Sequence, residues 1–333
     1  MQTKTVPFDP NEIACHLVCP DDASALVAAT NALRCTSCNR AFPFLSPNLL
    51  ELLPSKALDL PTVGVSAEYT AAYLQSFKAA HENEIAANNK TEFENYDDAG
   101  HDDATRLPFN APETSSPTLV QLRERQSAEV LQLLQTTNTP GATGEKSSDI
   151  VFCDLSAASG YTTFAAARHA SIVFHCDLSP AAVRYASAKA IRFGLDNIVV
   201  VRADYLQPPF RNSIDQLTCI DTLIRGPWHE SRLLAAIHRS LSPRGVAVVD
   251  FHNWWHNPFR RLGLLPQNFG QNHSYTKREV LDLLARADIE NFTISPFIAE
   301  ARPNTLVGET MRAVLPATRF MIRFTSTGSR EPR

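Results

Sequence analysis

The sequence predicts an α/β fold built on a doubly wound, mostly parallel sheet. From Asp149 onward, short β-branched apolar runs (DIVFCDL, ASIVFHCDL, NIVVVRAD, DQLTCIDTL, GVAVVDFHN) alternate with helical stretches (YTTFAAARHA, PAAVRYASAKAIRFG, ESRLLAAIHRSLS). The strand runs are almost continuously apolar, as a parallel sheet buried on both faces requires; a half-solvated sheet would alternate. The 333 residues, 44% hydrophobic, suffice for one large core and a small one.

In chain order, residues 1–56 hold Cys15, Cys19, Cys35 and Cys38, end in FPFLSPNLLELLP and form a small N-terminal domain. Residues 57–145 form a helical and lid region. YTAAYLQSFKAAHENEIA has helical periodicity, and the acidic, aromatic-poor stretch from NNKTEF to PETSS reads as a long loop or partly disordered lid. Ser116 before Pro117 starts a helix through TLVQLRERQSAEVLQLLQ, which ends before the linker TTNTPGATGEKSSD. Residues 146–326 carry the sheet. After the five strands come a helix, SYTKREVLDLLARADI, and a last strand in RAVLPATRFMIRFTST, and residues 327–333 read as a disordered tail.

No apolar run approaches the roughly 18 residues needed to span a bilayer, and MQTKTVPFDPNE lacks a charged-then-apolar leader, which predicts a cytoplasmic protein. A net charge of −4 gives no global attraction to phosphate backbones, so nucleic acid is not favoured. Cys153, Cys176 and Cys219 lie inside apolar runs and read as buried strand residues.

In a doubly wound sheet the ligand lies beyond the carboxyl ends of the strands, first of all at the turn after the first strand. That turn is DLSAASG, with small residues where glycines are usual. Asp177 ends the second strand, placed to accept both hydroxyls of a ribose, and Ser179 before Pro180 takes the N-cap role, which leaves this carboxylate free. Asp204 ends the third strand, a position from which a carboxylate can accept from an adenine amino group, and LSPRG leads into the fifth.

The order of these motifs resembles the class I S-adenosylmethionine-dependent methyltransferases, of the UbiE or type 11 kind. Their DxGxGxG turn corresponds to Asp154, Ser156, Ala158 and Gly160, their strand-two and strand-three acids to Asp177 and Asp204, and their LxPGG turn to Leu241–Gly245. Their AGF falls at Ala287, Asp288 and Ile289. The resemblance spans roughly residues 117–325 and implies a seven-stranded Rossmann-like sheet. It also implies cofactor contacts from Asp154, Ser156, Ala158, Gly160, Asp177, Leu178, Asp204 and Tyr205, with Asp154 acting indirectly by fixing the turn's amides. A methyl group at Ala158 stands where the family keeps open space.

Cys35 and Cys38 form a CxxC knuckle, and Cys19 opens CPDD. Two such knuckles fold over one tetrahedral zinc. The stretch from CPDD to NLLELLP resembles the zinc-ribbon proteins that activate tRNA and rRNA methyltransferases and similar ribbons fused to methyltransferases. On that alignment Asp22 takes the place of the second cysteine, and Asp22, Cys15 and His16 are all candidates for the fourth ligand.

Methyl transfer is an in-line displacement, so the protein must align donor and acceptor and, for a hydroxyl or amine, remove a proton. Asp221, His229, His252 and His256 lie after the fourth and fifth strands and are the candidate bases. Trp228, Trp254 and Trp255 gather in the same loops and suggest an aromatic or lipid-like small-molecule acceptor, with Arg260 and Arg261 placed for an anionic group. The alternatives are an RNA methyltransferase and a methyltransferase-like binding protein without cofactor.

Overall fold

The computed structural model describes residues 8–61, 67–82, 111–135, 149–256, 258–264, 268–269, 272–297 and 318–326. The acidic stretch read as a lid falls mostly outside them, as do most of the linker before Asp149 and the tail.

The cysteine-rich end begins with α1 (Pro10–Ala14), followed by β1 (Leu26–Ala29), β2 (Ala32–Cys35), β3 (Ala41–Ser46) and β4 (Leu49–Glu51). Then come α2 (Ala67–Glu82) and α3 (Pro117–Gln135); the latter starts at the expected proline, with Leu119 N donating to Ser116 Oγ at 3.3 Å. The alternating segment gives β5 (Val151–Leu155), α4 (Tyr161–Ala166), β6 (Ile172–Asp177), α5 (Pro180–Arg192), β7 (Ile198–Arg202), β8 (Ile214–Leu223), α6 (Pro227–Ser240) and β9 (Leu241–His252). A 3-10 turn at Trp254–His256, the short α7 (Pro258–Arg261) and a small hairpin of β10 (Asn268–Phe269) and β11 (Asn272–His273) precede α8 (Lys277–Arg286). The final pair is β12 (Phe292–Phe297) and β13 (Arg319–Thr325).

The strands join in one sheet of order β1-β2-β3-β4-β7-β6-β5-β8-β9-β13-β12. From β4 through β9 the pairing is parallel; β13 runs antiparallel to both β9 and β12. Strands β5 to β9, β12 and β13 are the seven expected, in a Rossmann-like arrangement. The residues β5 and β7 present are buried throughout, as continuous apolar runs require. Cys153, Cys176 and Cys219 are buried strand residues as read.

The cysteine-rich end does not stand apart. Leu49, Leu50 and Glu51 pair in parallel with Val200, Val201 and Arg202, so β4 extends the main sheet past β7. Leu33, Phe42, Phe44 and Leu50 share one apolar cluster with Phe174, Val199 and Phe210. The small N-terminal domain therefore extends the sheet and shares its core, and β4 covers an edge that β7 would otherwise leave unpaired.

Candidate functional site: the turn after β5 and its surroundings

Strand order reverses between β5 and β8, since successive strands from β5 run one way through β6 and β7 and from β8 the other way to β9. Helices on opposite faces diverge at such a point and leave a crevice at the carboxyl ends. The turn DLSAASG lies there. Its backbone is left-handed at Ser156 (φ 60°), Ala158 (φ 46°) and Gly160 (φ 73°), the three positions where the resemblance places glycines. Left-handed backbone costs an L-residue about 1–2 kcal/mol, so two of the three are held against that preference.

Hydrogen bonds hold them. Ala157 N donates to Cys176 O (3.1 Å), Gly160 N to Ala157 O (2.8 Å), and Ala158 N to Asp177 Oδ2 (2.8 Å). Gly160 has no substitute: a Cβ there would lie 3.0 Å from Phe164 and 3.2 Å from His175 Nδ1.

Asp154 is buried and accepts from Thr163 N (2.9 Å), Thr163 Oγ1 (2.7 Å) and Thr218 Oγ1 (2.8 Å). Thr163 commits its hydroxyl proton to Asp154 and so accepts from His175 Nδ1, 2.9 Å away. Burial pushes Asp154 up to about 6 and His175 down to about 3. This network lies behind the turn and fixes the start of α4, whereas the turn's own amides are held by Cys176 O, Ala157 O and Asp177 rather than by Asp154.

Asp177 is not free, as the sequence suggested. Its Oδ1 accepts from Ser179 N (2.8 Å) and its Oδ2 from Ala158 N, while burial pushes its carboxyl up. Ser179 does cap α5, accepting from Ala182 N at 3.4 Å. The Asp177 side chain is nonetheless only partly buried. Leu178, next to it, is also partly exposed.

Asp204 is fully buried. Leu206 N donates to Oδ1 (2.9 Å), and Tyr73 Oη (2.7 Å) and Gln207 Nε2 (3.3 Å) donate to Oδ2. Tyr205, partly exposed, reaches His229, whose Nε2 is 3.2 Å from the phenol oxygen. On its other side, His229 Nδ1 stands 3.4 Å from Glu230 Oε2, and Glu230 Oε1 accepts from Arg225 N at 2.6 Å.

At the ends of β8 and β9, Asp221 is clamped by Arg123 of α3 and Arg319 of β13, and Arg319 also binds Asp250. Asp221 N donates to Asp250 Oδ1 at 2.7 Å. Burial alone would raise Asp221, but His252, Arg319 and Arg123 outweigh it and hold the carboxyl far below the usual range. Asp221 as a base is therefore corrected to a fixed anion that orders charges around it. His252 Nε2 lies 3.6 Å from Asp221 Oδ1. The side chains of His256 and Arg260 fall outside the described residues.

The indoles of Trp254 and Trp255 meet edge to face at 4.5 Å, and the Arg261 guanidinium lies 5.4 Å from the Trp255 ring, stacked on the surface. Trp228 is partly buried. Sequence reasoning missed Tyr73, Arg123, Glu230, Asp250 and Arg319. Only Arg319 carried a signal, as a charge opening an apolar strand.

The cysteine knuckles are separate from this site. Ligand atoms of Cys19, Asp22, Cys35 and Cys38 all lie within 4.8 Å of one another. The two knuckles match: Cys19 N donates to Ser24 O and Cys35 N to Arg40 O, both at 2.9 Å, and the residues after them, Ala23 and Asn39, are left-handed. Asp22 thus stands where a second cysteine would. Ser37 N and Cys38 N point at Cys35 Sγ from 3.3 and 3.4 Å. Burial raises the Cys35 thiol, but these N–H groups outweigh it and bring it down. Cys15 is corrected out of the set, because its thiol donates to Glu12 O at 3.0 Å, and His16 is absent from it too.

Comparison with known proteins agrees with the topology. Residues 152–245 match the family model described as "Methyltransferase domain". The match runs from β5 to the start of β9, so this part of the sheet, with its turn, is similar to a methyltransferase domain. Among solved structures, the fold is similar to geranyl diphosphate C-methyltransferase from Streptomyces coelicolor A3(2) (15% identity, 63% of this chain, 80% of that one, TM-score 0.46). It is also similar to phosphoethanolamine N-methyltransferase 2 of Haemonchus contortus (13%, 61%, 52%, TM-score 0.45) and to magnesium protoporphyrin IX methyltransferase from Synechocystis PCC 6803 (15%, 63%, 85%, TM-score 0.44). At such identities and TM-scores these likenesses say nothing about substrate. No curated protein matches.

Proposed function

We propose that the chain transfers a methyl group from S-adenosylmethionine to a small-molecule acceptor, aromatic or lipid-like, as a cytoplasmic enzyme. The observation that carries this reading is the left-handed turn at the switch point, tied through Ala158 N to Asp177, because that arrangement has a cofactor's shape even without two of its glycines. Asp177, only partly buried, is the acceptor for the ribose hydroxyls, and Leu178 and Tyr205 flank it. When bound, S-adenosylmethionine supplies an electrophilic methyl on its sulfonium. The protein's part is to orient the acceptor, exclude water and take its proton. His229, backed by Glu230, and His252, beside the fixed Asp221 anion, are the groups for that proton.

The same reading places a structural Zn2+ on Cys19, Asp22, Cys35 and Cys38. Three thiols and a carboxylate in one cluster, with N–H groups aimed at sulfur, suit a closed tetrahedral site. Among the described residues, no helix is long and apolar enough to cross a membrane.

A second reading, a binding protein without cofactor, draws on the buried Asp204 and the Ala158 methyl. Calorimetric titration with S-adenosylmethionine and S-adenosylhomocysteine separates the two. The enzyme reading expects binding that Asp177→Ala abolishes; no heat at millimolar ligand would sink it.

A further inference from the structure

Helix α2 lies outside the matched methyltransferase segment, yet it reaches the strand-three acid. Tyr73 is 4% exposed, and its hydroxyl donates to Asp204 Oδ2 at 2.7 Å while accepting from Leu58 N at 3.0 Å. With Leu206 N on Oδ1 and Gln207 Nε2 also on Oδ2, three of about four acceptor sites are filled, and Asp204 has no exposed surface. A ligand donor cannot reach this carboxylate while the phenol stays.

The phenol is held from behind. In the last turn of α2, His81 Nε2 lies 3.0 Å from Pro54 O and its ring packs on Phe77 at 4.4 Å. The strap that carries Pro54 and Leu58 is fastened to the first knuckle, where Ser55 N donates to Asp21 Oδ1 at 2.6 Å and Arg40 binds Oδ2 of the same carboxylate at 2.7 Å. The path from knuckle to Asp204 runs through the Asp21–Ser55 hydrogen bond, the backbone from Ser55 to Leu58, and the Leu58–Tyr73 and Tyr73–Asp204 hydrogen bonds.

We infer that Tyr73 is a latch on the cofactor site: its hydroxyl occupies Asp204 in place of a ligand's amino group, and α2 must give way for S-adenosylmethionine to bind. The inference rests on the cofactor reading above. A charged acceptor holds a hydroxyl donor strongly, and that bond is surrendered on binding, so opening the latch offsets part of the ligand's affinity.

The experiment is calorimetric titration of the full chain with S-adenosylhomocysteine. Tyr73→Phe keeps the ring and loses the hydroxyl, and is expected to bind about tenfold more tightly than wild type. His81→Ala, which loosens α2 without touching Asp204, is expected to tighten binding about two- to threefold, with thermal melting showing that both variants are folded. Unchanged or weaker binding in Tyr73→Phe overturns the latch and leaves the cofactor reading intact. Absence of binding in wild type and both variants overturns both.

Discussion

Ser156 and Ala158 keep the geometry of glycine without being glycine, at φ 60° and 46°. Neighbours impose that backbone: Asp177 takes the Ala158 amide, and Cys176 O takes the Ala157 amide. The residues are strained, which gives a signed prediction. Ala158→Gly should stabilise the fold by roughly 0.5–1 kcal/mol, because it relieves left-handed strain at more than the entropy it adds to the unfolded chain. Gly160→Ala should cost about 1–2 kcal/mol or more, since it adds strain and a methyl 3.0 Å from Phe164. Urea denaturation of both variants checks the pair, and equal effects of one sign would contradict it.

Between elements, the decisive contacts are polar groups buried where β5, β6, β8 and α4 meet. Asp154, pushed up to about 6 by burial, binds its proton more tightly in the native state than in the unfolded chain. Between about pH 4, where an ordinary aspartate titrates, and pH 6 the native state therefore holds more protons. This carboxyl's contribution is thus present below about pH 4 and is lost as pH rises through 6. The difference between a native carboxyl titrating at about 6 and an ordinary one amounts to about 3 kcal/mol. Unfolding free energy measured from about pH 4 to pH 7 should fall with that slope in wild type relative to Asp154→Asn, which has no proton to lose. A parallel pH dependence in the two proteins would refute the assignment.

For the whole molecule, β4 makes the knuckles part of the main sheet, and one apolar cluster runs from Phe42 to Phe174. Loss of the proposed metal should therefore be felt everywhere. A Cys35→Ser, Cys38→Ser variant is expected to contain no zinc and to melt at a lower temperature in one transition. Zinc content unchanged by the substitutions would remove the metal assignment, and a separate early transition would show that the knuckles fold alone.

The strands, their near-continuous burial, the start of α3 and the place of the turn were legible because periodicity and turn chemistry are local. The CxxC knuckle and the substitution of Asp22 for a cysteine were legible for the same reason, as spacing within a few residues. The partners of Asp177, the clamp on Asp221 and the cover on Asp204 were not. Each joins residues that are 19, 98 and 131 positions apart, as in Ala158 to Asp177, Arg123 to Asp221 and Tyr73 to Asp204. The sequence by itself determined the parallel sheet and the location of its ligand-facing end, since hydrophobic pattern and strand-end turns are written in neighbouring residues. Only the tertiary structure decided which acids are open and which are occupied, because a carboxylate's availability depends on donors that distant helices bring to it.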